Sequence, residues 1–213
     1  MAADSERSAA QYVPQTRSLA RLREAAAHCR GCDLYRYATQ TVFGEGPARA
    51  KMVFIGEQPG DKEDRAGRPF VGPAGALLHD AMLQARIDPK TVYITNAVKH
   101  FKFVERGKKR IHQKPRTIEI QACSPWLQAE LRQIRPRLVV ALGATAAQAL
   151  LGRTFRLTQH RGEILESALA AHVLATVHPS AILRAPDAAK RRREQAAFVD
   201  DLKIAAAAAS QLR

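Results

Sequence analysis

Lys51-Met-Val-Phe-Ile-Gly-Glu-Gln-Pro-Gly-Asp61 is the stretch whose reading decides the fold. Its first half is a short apolar run of the kind that forms a strand buried on both faces. Its second half, Gly56-Glu57-Gln58-Pro59-Gly60, stops the strand and places a carboxylate, an amide and two glycines at its carboxyl end. Open α/β sheets bind their ligands at that end of their parallel strands. Pro59 stiffens the turn, and Gly60 lets a ligand approach the backbone closely.

Three more β-rich runs follow, Val92–Ala97, Arg137–Leu142 and His172–Val177. Helical patterns separate them at about Ala74–Arg86, Thr117–Ile134 and Thr145–Leu151, and a last helix runs from about Asp187 to Gln211. The segment Ser18–His28 reads as a short amphipathic helix, and a minor hairpin is expected near Gly162–Leu165. Strands alternating with helices imply an α/β protein with a doubly wound, four-stranded parallel sheet. Residues 1–16 read as a loose tail and 17–213 as one domain.

Each of the four strands ends in polar residues: Gly56-Glu57-Gln58, Asn96, Gly143-Ala-Thr145 and His178-Pro-Ser180. A parallel sheet brings those four ends to one edge, so these groups are expected to share a cleft.

The chain has 34 Lys and Arg against 20 Asp and Glu, a net charge of +14. A surplus of that size points to a polyanionic partner or a membrane surface, and steers encounter with nucleic acid. The first residues lack the apolar core of a signal peptide, and the apolar stretch around Leu138 to Leu151 is too short to span a bilayer. The expectation is a cytoplasmic monomer with no membrane partner. In a reducing compartment three cysteines point away from disulfides. Cys29-x-x-Cys32 has a chelate spacing suited to zinc or an iron–sulfur cluster. Cys123 adds a third ligand and His100 is the best fourth, ahead of His28; the alternative is that Cys123 is a small buried hydrophobe.

Four ordered motifs, Gly56-Glu-Gln-Pro-Gly60, Gly67-Arg-Pro-Phe-Val-Gly-Pro-Ala-Gly75, Tyr93-Ile-Thr-Asn-Ala-Val-Lys99 and His178-Pro-Ser180, resemble those of the iron–sulfur uracil-DNA glycosylases. The resemblance covers nearly the whole chain after the first residues. It implies a three-layer α/β/α fold, a uracil-containing DNA substrate and a [4Fe-4S] cluster on Cys29, Cys32, Cys123 and His100. The family usually has cysteine where this chain has His100. A basic insertion, Glu105-Arg-Gly-Lys-Lys-Arg-Ile-His-Gln-Lys-Pro115, together with Gln58 in the first motif, resembles the UdgX branch. In that branch the loop histidine, here His112 within Lys109-Arg110-Ile111-His112, bonds covalently to the sugar left after uracil departs.

The chemistry asks for a base taken out of its stack, a flat platform and an amide that reads uracil's edge. Phe70 resembles the platform, and Asn96 suits the reading role. Gly56, Gln58 and Asp61 are grouped with the uracil pocket, Asp61 as a weaker acid or only a loop-shaping residue. His178 is expected to donate to the departing base. Three roles are open to Glu57: stabilising the sugar cation, orienting a water, or holding His112 neutral. Lys109 and Arg110 are expected on phosphates. Ser180, Leu183 and Arg184 lie in the segment resembling the wedge that fills the gap left by a flipped base. Conventional turnover and non-catalytic DNA binding stand as the competing readings.

Overall fold

The apolar runs become strands because each buries both faces. The computed structural model describes residues 7–212. In chain order its elements begin with α1 (Leu19–Ala26), β1 (Met52–Gly56), α2 (Asp61–Ala66), α3 (Pro73–Gln84) and β2 (Tyr93–Asn96). Then come β3 (Phe103–Arg106), β4 (Lys109–His112), α4 (Thr117–Ile134), β5 (Leu138–Leu142) and α5 (Ala144–Leu151). The last are α6 (Leu157–His160), β6 (Ile164–Ser167), β7 (Ala170–Thr176), α7 (Pro179–Leu183) and α8 (Ala188–Gln211).

The main sheet has the order β2-β1-β5-β7-β6. Met52, Phe54, Leu138, Val140, Leu142 and Leu174 point to one face, where α3, α7 and α8 cover them. Val53, Ile55, Val139, Ala141, Val173 and Ala175 point to the other, against α4 and α5. Alternation within each strand thus feeds two cores, which makes three layers. Pairings β1–β2, β1–β5 and β5–β7 are parallel.

The four strands expected from the sequence form the parallel part, β2-β1-β5-β7, and β6 adds a fifth strand, antiparallel to β7, in the hairpin expected near Gly162–Leu165. Two expectations need correction. The basic insertion is not an irregular loop: β3 and β4 pair antiparallel as a separate two-stranded sheet. Part of the expected tail is packed. Residues 1–6 lie outside the described residues, but Ala9–Tyr12 form a 3-10 turn capped by Ser8, and Ala9 is buried. Gly31 permits this close approach, since a Cβ there would sit 2.6 Å from the Ala9 nitrogen. Among the described residues no helix is long and apolar enough to cross a membrane.

Below the β2 edge lies a fully buried ion pair, Lys99 Nζ with Glu130 Oε2. Lys99 also donates to Thr95 Oγ1 at 2.6 Å and to the Asn96 carbonyl at 2.8 Å. Glu130 Oε1 accepts from Tyr93 OH at 2.8 Å and from the Gly44 amide at 3.1 Å. Such a pair contributes little net stability, but breaking it leaves a buried charge uncompensated. Lys99→Ala is therefore expected to cost about 3–5 kcal/mol in urea unfolding. Lys99→Met combined with Glu130→Leu should recover only part of that loss, because the Gly44 amide and the Tyr93 hydroxyl then lose their acceptor.

Candidate active site

The strand order reverses between β1 and β5, and a cavity of about 650 Å³ opens beyond the carboxyl ends of those two strands. That is the topological switch point where open α/β sheets place their ligands. Glu57, Phe70, Asn96, His112, Thr145 and His178 line it, so all four strand ends meet there as the sheet geometry requires.

Glycine makes the walls possible. A Cβ on Gly56 would lie 2.3 Å from Asn96 Oδ1 and 2.8 Å from the Phe70 ring. Only a bare backbone lets both side chains close on that point. Phe70 holds φ 55, a left-handed value that costs a residue with a side chain on the order of 1–3 kcal/mol. Gly75 leaves room for this bend, since a Cβ there would strike the Phe70 carbonyl oxygen at 1.7 Å. Glu63 ties the two loops together, accepting from the amides of Gly60 at 3.1 Å and Gly72 at 2.7 Å. The Phe70 ring then faces His178 at 5.8 Å between centroids. Asn96 is 2% exposed, and its Oδ1 has no hydrogen-bond partner. An orphaned acceptor this deep is costly unless a ligand supplies the donor.

His178 caps α7, and its Nδ1 accepts from the Ser180 amide at 3.1 Å. The neutral ring therefore carries its proton on Nε2. Burial lowers its pKa to about 4, with Arg184 and His112 acting the same way and Glu57 opposing. The ring is thus a neutral hydrogen-bond donor near pH 7. Burial pushes the Glu57 carboxyl up, but contacts with His112 and Thr145 and the nearness of His178 outweigh it, so its pKa lies below the ordinary carboxylate value. His112 Nε2 stands 3.3 Å from Glu57 Oε1.

The hairpin puts His112 there. Its two-residue turn is Gly107-Lys108, with Gly107 at φ 57, the glycine-first pattern of a tight hairpin. Alternation along β4 turns Arg110 and His112 one way and Lys109 and Ile111 the other. Arg110 donates to Asp64 Oδ2 at 2.7 Å and also pairs with Asp61, while its guanidinium lies 4.9 Å from the Phe103 ring centre. Gln58 brackets the hairpin's base, donating to the carbonyls of Lys102 and Gln113 and accepting from the Lys102 amide.

The family model described as the Uracil DNA glycosylase superfamily matches residues 43–203, which span this entire cavity. The chain belongs to that superfamily. It is 34% identical over 175 residues to a type-4 uracil-DNA glycosylase of Pyrobaculum aerophilum, covering 79% of this chain and 86% of the relative. A type-4 uracil-DNA glycosylase of Thermotoga maritima is 37% identical over 162 residues, with 76% and 81% covered. A third, from Sulfurisphaera tokodaii, is 33% identical over 197 residues, with 88% and 86% covered.

Within this member of the uracil-DNA glycosylase superfamily, three expected ligand-facing side chains are spent internally. Gln58 lines the cavity, but its side-chain amide is engaged with the base of the hairpin. Asp61 pairs with Arg65 and Arg110 and does not line the cavity. Arg110 is a clasp and not a phosphate contact, because two carboxylates claim its guanidinium. Leu183 is half-buried against the core, whereas Arg184 and Ser180 line the cavity and Lys109 is exposed on the hairpin. Sequence reasoning missed Glu63 on the cavity wall, where Lys114 of the basic insertion also stands. Glu63 had a signal, as a glutamate three residues after a glycine that opens a helix.

Cys29, Cys32 and Cys123 share one buried cluster at the start of the domain. Burial raises the pKa of Cys32 to about 11 and that of Cys123 to about 12, and the neighbouring thiols add to both shifts. Among the described residues no set of three or more His, Cys, Asp or Glu side chains is arranged around a point for a single metal ion. His100 is buried, and burial lowers its pKa to about 4. Thr41 Oγ1 donates to the Ala26 carbonyl at 2.9 Å, so its contact with His100 Nε2 at 2.9 Å is one it accepts. That assignment leaves the His100 Nδ1 lone pair free, as a ligand requires.

His178 is neutral in the folded chain and gains a proton on unfolding where the pH lies between about 4 and about 6.5. Its depressed pKa therefore favours the native state above pH 6.5, and that contribution disappears as the pH falls through about 4. His178→Gln should remove on the order of 2–3 kcal/mol of the stability lost between those two pH values, measured by urea unfolding across the range.

Proposed function

We propose that this chain excises uracil from DNA and is then captured on the abasic product through His112. The observation that carries the reading is the contact of His112 with Glu57 at the mouth of a cavity whose floor holds the unpartnered Asn96 Oδ1.

A flipped uracil would stack on Phe70 and give its N3–H to Asn96 Oδ1. Cytosine has no proton at that position and would leave the buried oxygen unsatisfied, which is a strong basis for rejection. The C1′–N1 bond breaks with its electron pair passing to uracil, and the Nε2–H of His178 stabilises the charge gathering on uracil O2. Glu57, an anion beside the sugar, stabilises the cationic carbon. One imidazole nitrogen of His112 then bonds to C1′ before water does, and the proton on the other nitrogen is held by Glu57. The Arg110 clasp supports this order of events because it keeps the imidazole at the cavity when no DNA is present.

Substrate strands with bases already unpaired cost less to flip, so uracil in single-stranded DNA is the favoured partner, met by a monomer. Cys29, Cys32, Cys123 and His100 are proposed to hold a [4Fe-4S] cluster. The donor set fits, with three thiols in one buried cluster and a neutral imidazole whose free nitrogen is Nδ1. The Trp126 indole N–H, also in that cluster, is buried without an acceptor that a cluster sulfur would provide. When bound, such a cluster would cross-link the start of the domain, the segment after β2 and α4, and it has no role at the scissile bond. Purified protein is expected to show broad visible absorption that Cys123→Ser abolishes.

A second reading is a uracil-DNA glycosylase, the activity that the relatives' names carry, that releases its product and turns over. Denaturing electrophoresis after mixing with uracil-containing single-stranded DNA separates the two. A shifted species that His112→Ala loses is expected, with uracil release retained. Free uracil without any shifted species would leave the turnover reading in place.

A further inference from the structure

At the opposite edge of the sheet the strands begin, and three neighbours each enter from a cation. Lys51 precedes β1, Arg137 precedes β5, and Lys90 lies in the turn leading to β2. Arg49 and Arg86 join them around an open depression of about 660 Å³, with the end of α8 as its far wall. Among the described residues none of these five cations has a carboxylate within ion-pair distance, whereas Arg65, Arg68, Arg110, Arg116 and Arg161 elsewhere are paired. Asp88 is the one acidic residue lining the depression, and its carboxylate caps its own turn by accepting from the Lys90 amide at 2.9 Å. Helices α3, α4 and α8 end toward this edge, but a helix terminus contributes only about half a negative charge. Three such ends and one carboxylate do not offset five full cations. Arg86 also sits at φ 59, a backbone position that glycine fills more easily than a residue with a side chain.

We infer that this depression is a second nucleic-acid site, one that grips phosphodiester backbone on the face of the protein away from the cavity holding Glu57 and Asn96. The inference rests on the reading of this chain as acting on DNA. A single strand suits the place better than a compact phosphorylated metabolite, because the cations are spread along the amino ends of three strands at about 4.8 Å spacing and do not converge on one point. The β1 strand separates the two sites by about 17 Å of backbone, so an oligonucleotide of a few residues reaches one of them only. A long flank of the same strand, or a second DNA molecule, is needed to occupy both. The grip is electrostatic and without base reading, so it lengthens residence on DNA of any sequence.

The test compares the parent chain with Arg49→Gln/Lys51→Gln/Lys90→Gln, three exposed positions outside both cores. Binding to a uracil-free 40-residue single strand is followed by fluorescence anisotropy across a salt series. The expected result is at least a tenfold loss of affinity in the variant, and a drop of about 2 in the slope of log K against log salt, near 0.7 for each lost phosphate contact. Uracil release from an oligonucleotide of about six residues should be unchanged in the variant. If the parent itself releases no uracil there, the glycosylase reading fails while the binding measurement still decides this site. A loss seen only in the bridging of two short labelled DNAs assigns the site to a second molecule and upholds it. Equal affinity and equal slope in parent and variant, with bridging also unchanged, overturn the proposal, as does a loss confined to anionic lipid vesicles.

Discussion

The Arg110 clasp is the contact on which the geometry of the site depends. A guanidinium on β4 meets Asp64, which is fully buried, and Asp61, while its flat face lies over Phe101 and Phe103. Two carboxylates and two rings satisfy both the donors and the apolar face of one side chain. Because residues alternate along a strand, pinning Arg110 inward also turns His112 inward, two positions along. The chain thereby uses a charge that would otherwise be solvated to fix where an imidazole stands.

The rest of the cavity follows a different rule, in which missing atoms matter more than present ones. Gly56 and Gly75 have no side chains, so Asn96 and Phe70 occupy space that a methyl group would have taken. The strain at Phe70 is maintained by what surrounds it: Glu63 holds the loop at both ends, and Pro73 begins α3 immediately after Gly72. The buried Lys99–Glu130 pair fixes the Asn96 carbonyl from below. The Asn96 backbone is thus held from below, and its side-chain amide stands at the cavity with Oδ1 unpartnered.

Much of this was legible in the chain because the sheet is buried on both faces. Runs such as Leu138–Leu142 carry no polar residue, and their carboxyl ends are marked by glycine, asparagine or histidine. Convergence of Glu57, Asn96, Thr145 and His178 followed from parallel topology alone. The hairpin was illegible for a physical reason: Glu105-Arg-Gly-Lys-Lys-Arg110 has no apolar face, and its stability comes from Asp61 and Asp64, 49 and 46 residues away from Arg110. Local pattern carries no trace of a partner so distant. Gln58 misled for a related cause, since an amide beside a glycine turn suits a ligand and a bracket equally well. The polar helix α2 was missed because six residues, Asp61–Ala66, offer too few apolar positions to show a period.

The β3–β4 ribbon makes no ladder with the central sheet. It touches the body through Arg110, Gln58 and the stacked rings of Phe101 and Phe103, and it contributes His112 alone to the reaction chamber. In the reaction proposed above, the base and its bond fall to residues at the strand ends, and the sugar to this ten-residue appendage. Exchange of the appendage would then alter the fate of the product and leave the strand ends as they are.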